Sequence, residues 1–320
     1  MLKKFINDAS LAITLLLLLT IGCAAQSSEL EAEARLFAEP LPNEVPVHDH
    51  DDHSHEHVDE VAATAVIQVV LLPSELAVGQ NRMAVGLLDT NDQMIAEADV
   101  HFHYFDLTDP AAPQLEQEAD ATQVQSPDGL TTIFIQERSF DRAGEWGLEV
   151  QAQLADGQTA VQRIKFNVAA NSTSLLPGAA APRVQTPTLA DVAGDFSQIT
   201  SAWEPNAALY QLSLAEALGN GKPTVLLLAT PAFCQTRFCG PAYETISALA
   251  DQVGDAVNVL HVEVYAGLPD PSQTDWQLAP IMDAFGLATE PWVYVMDGEG
   301  TVVYRAEGVF TLDEITAHWQ

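Results

Sequence analysis

Cationic side chains are scarce. The 320 residues hold 12 Lys and Arg against 45 Asp and Glu, a formal net charge of −33. Such a surface repels nucleic acid and the anionic face of a membrane, so the expected partners include no nucleic acid. It suits a protein solvated outside the cell and attracts metal cations weakly. Cysteine is scarce too, with three in the chain. That excludes a small disulfide scaffold, which packs many cysteines into a short sequence. After residue 21 no stretch is long and apolar enough to span a membrane. The apolar fraction is an ordinary 48%, and the length leaves room for two modest domains.

The first residues carry an export pattern. Lys3 and Lys4 precede the apolar run 11–21, which contains five consecutive leucines and is short for a permanent span. The run ends Thr20-Ile21-Gly22-Cys23, which resembles a bacterial lipobox, although Thr20 stands where that motif prefers Leu. The resemblance implies cleavage before Cys23, lipidation of its thiol, and a protein held by lipid on the extracytoplasmic face of the cell membrane. An ordinary signal peptide with a chance cysteine is the other reading. In either case Cys234 and Cys239 work where disulfides can form and persist.

Composition then divides the chain. Residues 24–63 are rich in Glu, Ala, Pro and Asp and poor in large apolar side chains, so they read as a disordered tether. Within them His48, His50, His53, His55 and His57 fall in ten residues, a density able to capture Cu or Zn; a merely solvated tether is the plain alternative. Residues 64–169 show six short β-branched or aromatic segments, from "AVIQVVLL" to "AVQRIKFNV", separated by turn signals such as Ser126-Pro127-Asp128-Gly129 and Asp156-Gly157. This spacing predicts an all-β, immunoglobulin-like sandwich. It has no inter-sheet cysteines, and it loosely resembles the small β-sandwich domains of exported bacterial proteins, including those of the YtkA kind. His101 and His103, two apart on one of its strands, point to one face. Residues 170–204 hold several prolines and small residues and read as a linker.

From 205 the pattern is β-α-β-α-β-β-α. "PTVLLLAT" is a continuous apolar run, as in a strand buried on both faces. "YETISALADQV" puts Tyr243, Ile246, Leu249 and Val253 on one helical face. Between these two segments lies "ATPAFCQTRFCGPAYE". Five residues along an intact helix separate two Cα atoms by roughly 8–9 Å, and a disulfide needs less than about 7 Å. Pro241 belongs in a first helical turn. Residues 234–239 therefore read as loop, with Cys239 at the helix start, where the helix dipole and unpaired N–H groups stabilise a thiolate.

Phe238-Cys239-Gly240-Pro241 after a buried strand, and Glu290-Pro291 before a closing hairpin and helix, resemble the thioredoxin family over 205–320. The resemblance implies an α/β fold, a cis bond before Pro291, and a partner-binding surface at Phe238, Gly240, Pro241, Glu290 and Pro291. It also implies protein thiols or disulfides of the cell envelope as partners, with no cofactor required. Cys239 takes the nucleophile position and Cys234 the resolving one. Two departures stand out: residue 242 is Ala rather than the family's second cysteine, and the strand 225–228 lacks the family's buried acid. Glu263 is a substitute for that acid, expected at a core edge or exposed.

Three other readings of the cysteines stand beside exchange. A permanent staple is one, although so short a loop constrains the unfolded chain little. A thiol peroxidase is another, from Thr236-x-x-Cys239, although Ala232 replaces the proline of that signature. Copper handling is the third, with His261 and His318 as distant ligands. The expectation is a two-domain exported chain, sandwich then thioredoxin-like fold, that exchanges protein disulfides at Cys239 and Cys234, with copper or transition-metal handling as the alternative.

Overall fold

The computed structural model describes residues 64–234, 236–268 and 276–319. The signal-like segment, Cys23 and the histidine run lie outside these residues. The strands are β1 (Thr64–Ala65), β2 (Gln68–Leu71), β3 (Gly79–Leu88), β4 (Ala98–Asp106), β5 (Gln114–Asp120), β6 (Thr122–Gln125), β7 (Thr132–Phe140), β8 (Gly144–Leu154), β9 (Thr159–Val168), β10 (Thr224–Leu228), β11 (Asn258–Val262), β12 (Trp292–Met296) and β13 (Val302–Glu307). Four short or medium helices join them: α1 (Leu214–Ala217), α2 (Cys239–Val253), α3 (Pro280–Phe285) and α4 (Leu312–Thr316). The described chain is thus mostly β, in three sheets. The described residues of 64–106 and 115–319 form one compact unit.

Two sheets, ordered β2-β3-β7-β6 and β1-β9-β8-β4-β5, share one apolar core. Met83, Val85 and Leu87 of β3 meet Phe102 and Tyr104 of β4 and Trp146, Leu148 and Val150 of β8 there. Alternation drives this: one side chain in two points inward, and the inward ones are apolar. Turns close where the sequence placed them. Gly129 donates its N–H to Ser126 O at 2.8 Å and Gly157 to Leu154 O at 2.9 Å, each at positive φ where glycine carries no Cβ penalty. Gly79-Gln80-Asn81, also a turn signal, instead starts β3.

β5 and β6 carry no apolar signal. "QLEQEAD" is exposed along nearly its whole length and forms the sheet edge beside β4. Charge on an edge strand blocks pairing with other chains, which explains its composition and why alternation does not reveal it.

The third sheet runs β11-β10-β12-β13, with β10 parallel to β11 and antiparallel to β12. Every residue of β10 is buried. Val225 and Leu227 face one cluster with Ile246 and Leu249 of α2, while Leu226 and Leu228 face another with Met282 and Phe285 of α3. Two covered faces account for the unbroken apolar run.

The segment 170–204 is not a bare linker. Its backbone bonds to this sheet's closing hairpin, through Gly178 N to Val302 O at 2.8 Å and Ala181 N to Gly300 O at 2.9 Å. Leu175 and Val184 pack on one face of the sheet, Leu189 and Phe196 on the other. Its proline and small-residue content permits this extended path, and a strap buries side chains that a linker would expose.

Between the sandwich strands and the C-terminal elements, Arg82 of β3 donates through Nε to Glu314 Oε1 at 2.9 Å and through Nη2 to Val309 O at 2.9 Å. Tyr304 donates to the same Glu314 oxygen at 3.0 Å.

Candidate functional site

The end of β10 and the start of α2 are joined by the cysteine loop. Cys234 N donates to Thr230 O at 3.0 Å, which turns the chain back at the end of the strand. Helix α2 opens at Cys239, so the pair does not lie on one helix. Their Cα atoms are 6.1 Å apart and their sulfurs are bonded. Pro241 sits in the first turn, where its missing N–H costs nothing. Its carbonyl accepts from Thr245 Oγ1 at 2.9 Å. Gly240 leaves open space where a Cβ would stand.

The two sulfurs differ in access. Cys239 is wholly buried, whereas Cys234 is partly exposed. Thr236 Oγ1 lies 3.2 Å from Cys234 Sγ, so the threonine of the peroxidase-like signature serves the other cysteine.

A half-buried acid completes the site. Glu290 Oε2 lies 3.6 Å from Cys239 Sγ and accepts from Thr230 N at 2.5 Å. Burial pushes its carboxyl up to about 7, with the nearby Glu263 carboxylate adding to the rise and the Thr230 hydrogen bonds opposing it. The peptide bond Glu290–Pro291 is cis. The Pro291 carbonyl accepts from Gly308 N at 3.0 Å.

Glu263 is buried rather than exposed, at 6% exposure. It accepts from Ser201 N at 2.5 Å, and burial raises its carboxyl despite the Ser201 bonds. Two carboxyls from other elements thus lie near the end of β10, and the one nearest sulfur is Glu290. The sequence marks Glu290 only as the neighbour of Pro291; its raised pKa depends on desolvation that no local pattern encodes.

Phe238, expected on the partner-facing surface, is half-buried against Ala84, Val124, Ile133, Ile135 and Val309, most of them sandwich residues. His261 is no ligand in waiting. Both ring nitrogens are engaged, with Tyr210 Oη at 2.8 Å and Ala229 O at 3.0 Å, and burial lowers its pKa to about 4. His318 stacks on the Tyr304 ring at 4.3 Å.

Two groups of described residues bring metal-type ligand atoms within 4.8 Å of one another: Cys234, Cys239 and Glu290, and His101, His103 and Glu118. Among the described residues no helix is long and apolar enough to cross a membrane.

No protein-family model matches the chain, and no curated protein does. Solved structures match about a third of it. The soluble domain of PmoD from Methylocystis sp. ATCC 49242 (Rockwell) is 18% identical and covers 32% of this chain and 90% of its own, at TM-score 0.23. CopC from Methylosinus trichosporium OB3b is 12% identical and covers 33% and 97%, at 0.23. A superoxide reductase (neelaredoxin) from Ignicoccus hospitalis is 10% identical and covers 35% and 86%, at 0.21. Likeness at these scores bears on no residue's role.

Proposed function

We propose that the chain is an exported thiol–disulfide exchange protein, lipid-anchored through Cys23, that acts on protein thiols or disulfides through Cys234 and Cys239. The carrying observation is the Cys239–Glu290 approach: a buried sulfur at a helix start, bonded to a more accessible one, beside a carboxyl poised near neutrality. The thioredoxin-like reading of 205–320 is supported by the β-α-β-α-β-β-α order, the helix opening at Cys239 and the cis Glu290–Pro291 bond. The immunoglobulin-like reading of 64–169 is supported by two sheets across one core.

Access divides the labour. The helix start assigns attack to Cys239, but an incoming thiolate must reach the sulfur it attacks, and Cys234 is the more accessible one. The partner thiolate attacks Cys234 Sγ, a mixed disulfide forms there, and the Cys234–Cys239 bond breaks with its electron pair on Cys239. The positive end of α2 stabilises that thiolate, and Glu290, when protonated, supplies the proton. A second partner thiolate then attacks the partner sulfur of the mixed disulfide, whose bond to Cys234 breaks; Cys234 leaves as a thiolate and takes a proton from solvent. This leaves an oxidised partner and a dithiol, and every step runs in reverse for a reduced chain. Mixed disulfides captured from envelope extracts by single cysteine variants test this: capture by neither variant would overturn it.

The second reading is copper or transition-metal handling. Its observation is the same trio, because two thiolates and a carboxylate converge once the disulfide is reduced, and thiolates favour Cu(I). Titration with Cu(I) separates the readings. Tight binding by the reduced chain, lost on oxidation and in Glu290→Gln, supports it; no binding by the reduced chain removes it.

A further inference from the structure

On its outward face the sheet β9-β8-β4-β5 carries a row of polar side chains across four strands. His103 of β4 stands directly opposite Glu149 of β8, which stands opposite Arg163 of β9; His101 stands opposite Gln151. On the other side β5 contributes Glu118 and Asp120. His103 Nε2 lies 3.5 Å from Glu118 Oε2, and His101 Nδ1 lies 2.7 Å from Asp120 Oδ1. The two imidazoles are 4.9 Å apart, centre to centre.

Each element of this arrangement suits a metal ion. Two ligands held at about 2.1 Å around a tetrahedral ion stand about 3.4 Å apart, which is the His103–Glu118 spacing. His101 brings its ring within 4.8 Å of both. The innermost ligand is fixed from behind. His103 Nδ1 is buried 3.3 Å from Glu149 Oε1, off the line of a hydrogen bond, and Glu149 is itself anchored by Arg163 Nε at 2.6 Å and Gln151 Nε2 at 2.8 Å. A small rotation of the ring aligns that contact. It then becomes the carboxylate–imidazole support that directs the opposite nitrogen at a metal. Of the outer groups, Glu118 is exposed and His101 partly so.

We propose that His101, His103 and Glu118 form a binding site for a divalent transition metal of the kind imidazole favours, zinc or copper(II), with a remaining position open to water. The site is independent of the chemistry at Cys234 and Cys239 and of the histidine run at 48–57.

The test uses the full chain with its disulfide intact and with His48, His50, His53, His55 and His57 all replaced by Asn. Calorimetric titration with Zn²⁺ is expected to give one equivalent. His103→Asn, His101→Asn and Glu118→Gln are each expected to weaken binding by about tenfold or more. Glu118 is exposed, so its variant keeps the fold. Substituting Cys234 and Cys239 by Ser is expected to leave the zinc affinity unchanged, which separates this site from the redox site. No zinc uptake by the tether variant, or an unchanged Kd in both Glu118→Gln and His101→Asn, would overturn the proposal.

Discussion

Glu290 Oε2 faces Cys239 Sγ at 3.6 Å while the Thr230 backbone nitrogen holds it at 2.5 Å, so one carboxyl oxygen ties the end of β10 to the buried sulfur. A carboxyl raised to about 7 is half protonated near neutrality and can both give and take the proton of Cys239. The rate of disulfide reduction by a small thiol, expressed per thiolate of reagent, should therefore fall as pH rises through 7. Glu290→Gln should slow the reaction by about tenfold or more below pH 7 and abolish the inflection. An inflection that survives in Glu290→Gln would assign it to another group.

The difference in access between the sulfurs predicts a trapping pattern. Cys239→Ser leaves the accessible Cys234 thiol and should accumulate mixed disulfides with partner proteins. Cys234→Ser leaves only a buried thiol and should accumulate few. Non-reducing gels of the two variants decide it. The reverse pattern would return the attacking role to Cys239, its place by helix position.

His261 predicts an acid dependence of stability. Its folded pKa of about 4 lies below the ordinary value of about 6.5, so the unfolded chain takes up a proton that the folded chain refuses. Stability is full above pH 6.5 and falls by at most about 3 kcal/mol as pH drops to 4. Glu290 acts in the opposite sense: its raised pKa stabilises the folded chain below pH 4.5 and that stability is lost as pH rises to 7. Subtracting a His261→Gln variant isolates the histidine. The two urea-denaturation curves should converge between pH 6.5 and 4, and a constant gap would disprove the assignment.

Arg82 predicts a large loss on truncation. It is buried, and Glu314, which it meets at 2.9 Å, is nearly so. Arg82→Met leaves the Glu314 carboxylate and the Val309 carbonyl without it, which should cost about 3 kcal/mol or more. Arg82→Lys should recover only part, because one ammonium cannot reproduce the fork that serves both acceptors. A loss under about 1 kcal/mol in urea titration would mark the contact as solvent-screened.

Much of the architecture is legible along the chain. Alternation marks β3, β4, β7, β8 and β9, and the unbroken run "TVLLL" marks a strand covered on both faces. Helix geometry shows that Cys234 and Cys239 cannot bond to one another if both lie on one regular helix, and Pro241 points to where the helix begins. These features are local, since each depends on repeat distances or dihedral limits of a few residues.

What only the tertiary structure decides is set by neighbours distant in sequence. β5 is polar because it is an edge strand, so nothing in "QLEQEAD" announces a strand, yet it carries Glu118 to His103. The proline-rich segment 170–204 becomes a strap because the β12–β13 hairpin offers it backbone partners. Glu290 becomes a half-buried acid, Glu263 a buried one and His261 a core residue of lowered pKa because the fold withdraws them from water, and desolvation depends on the whole surrounding shell rather than on the residue. The sequence by itself determined where the cysteines stand and that they can pair. Which sulfur is the more accessible, and which carboxyl lies beside the other, was decided by packing.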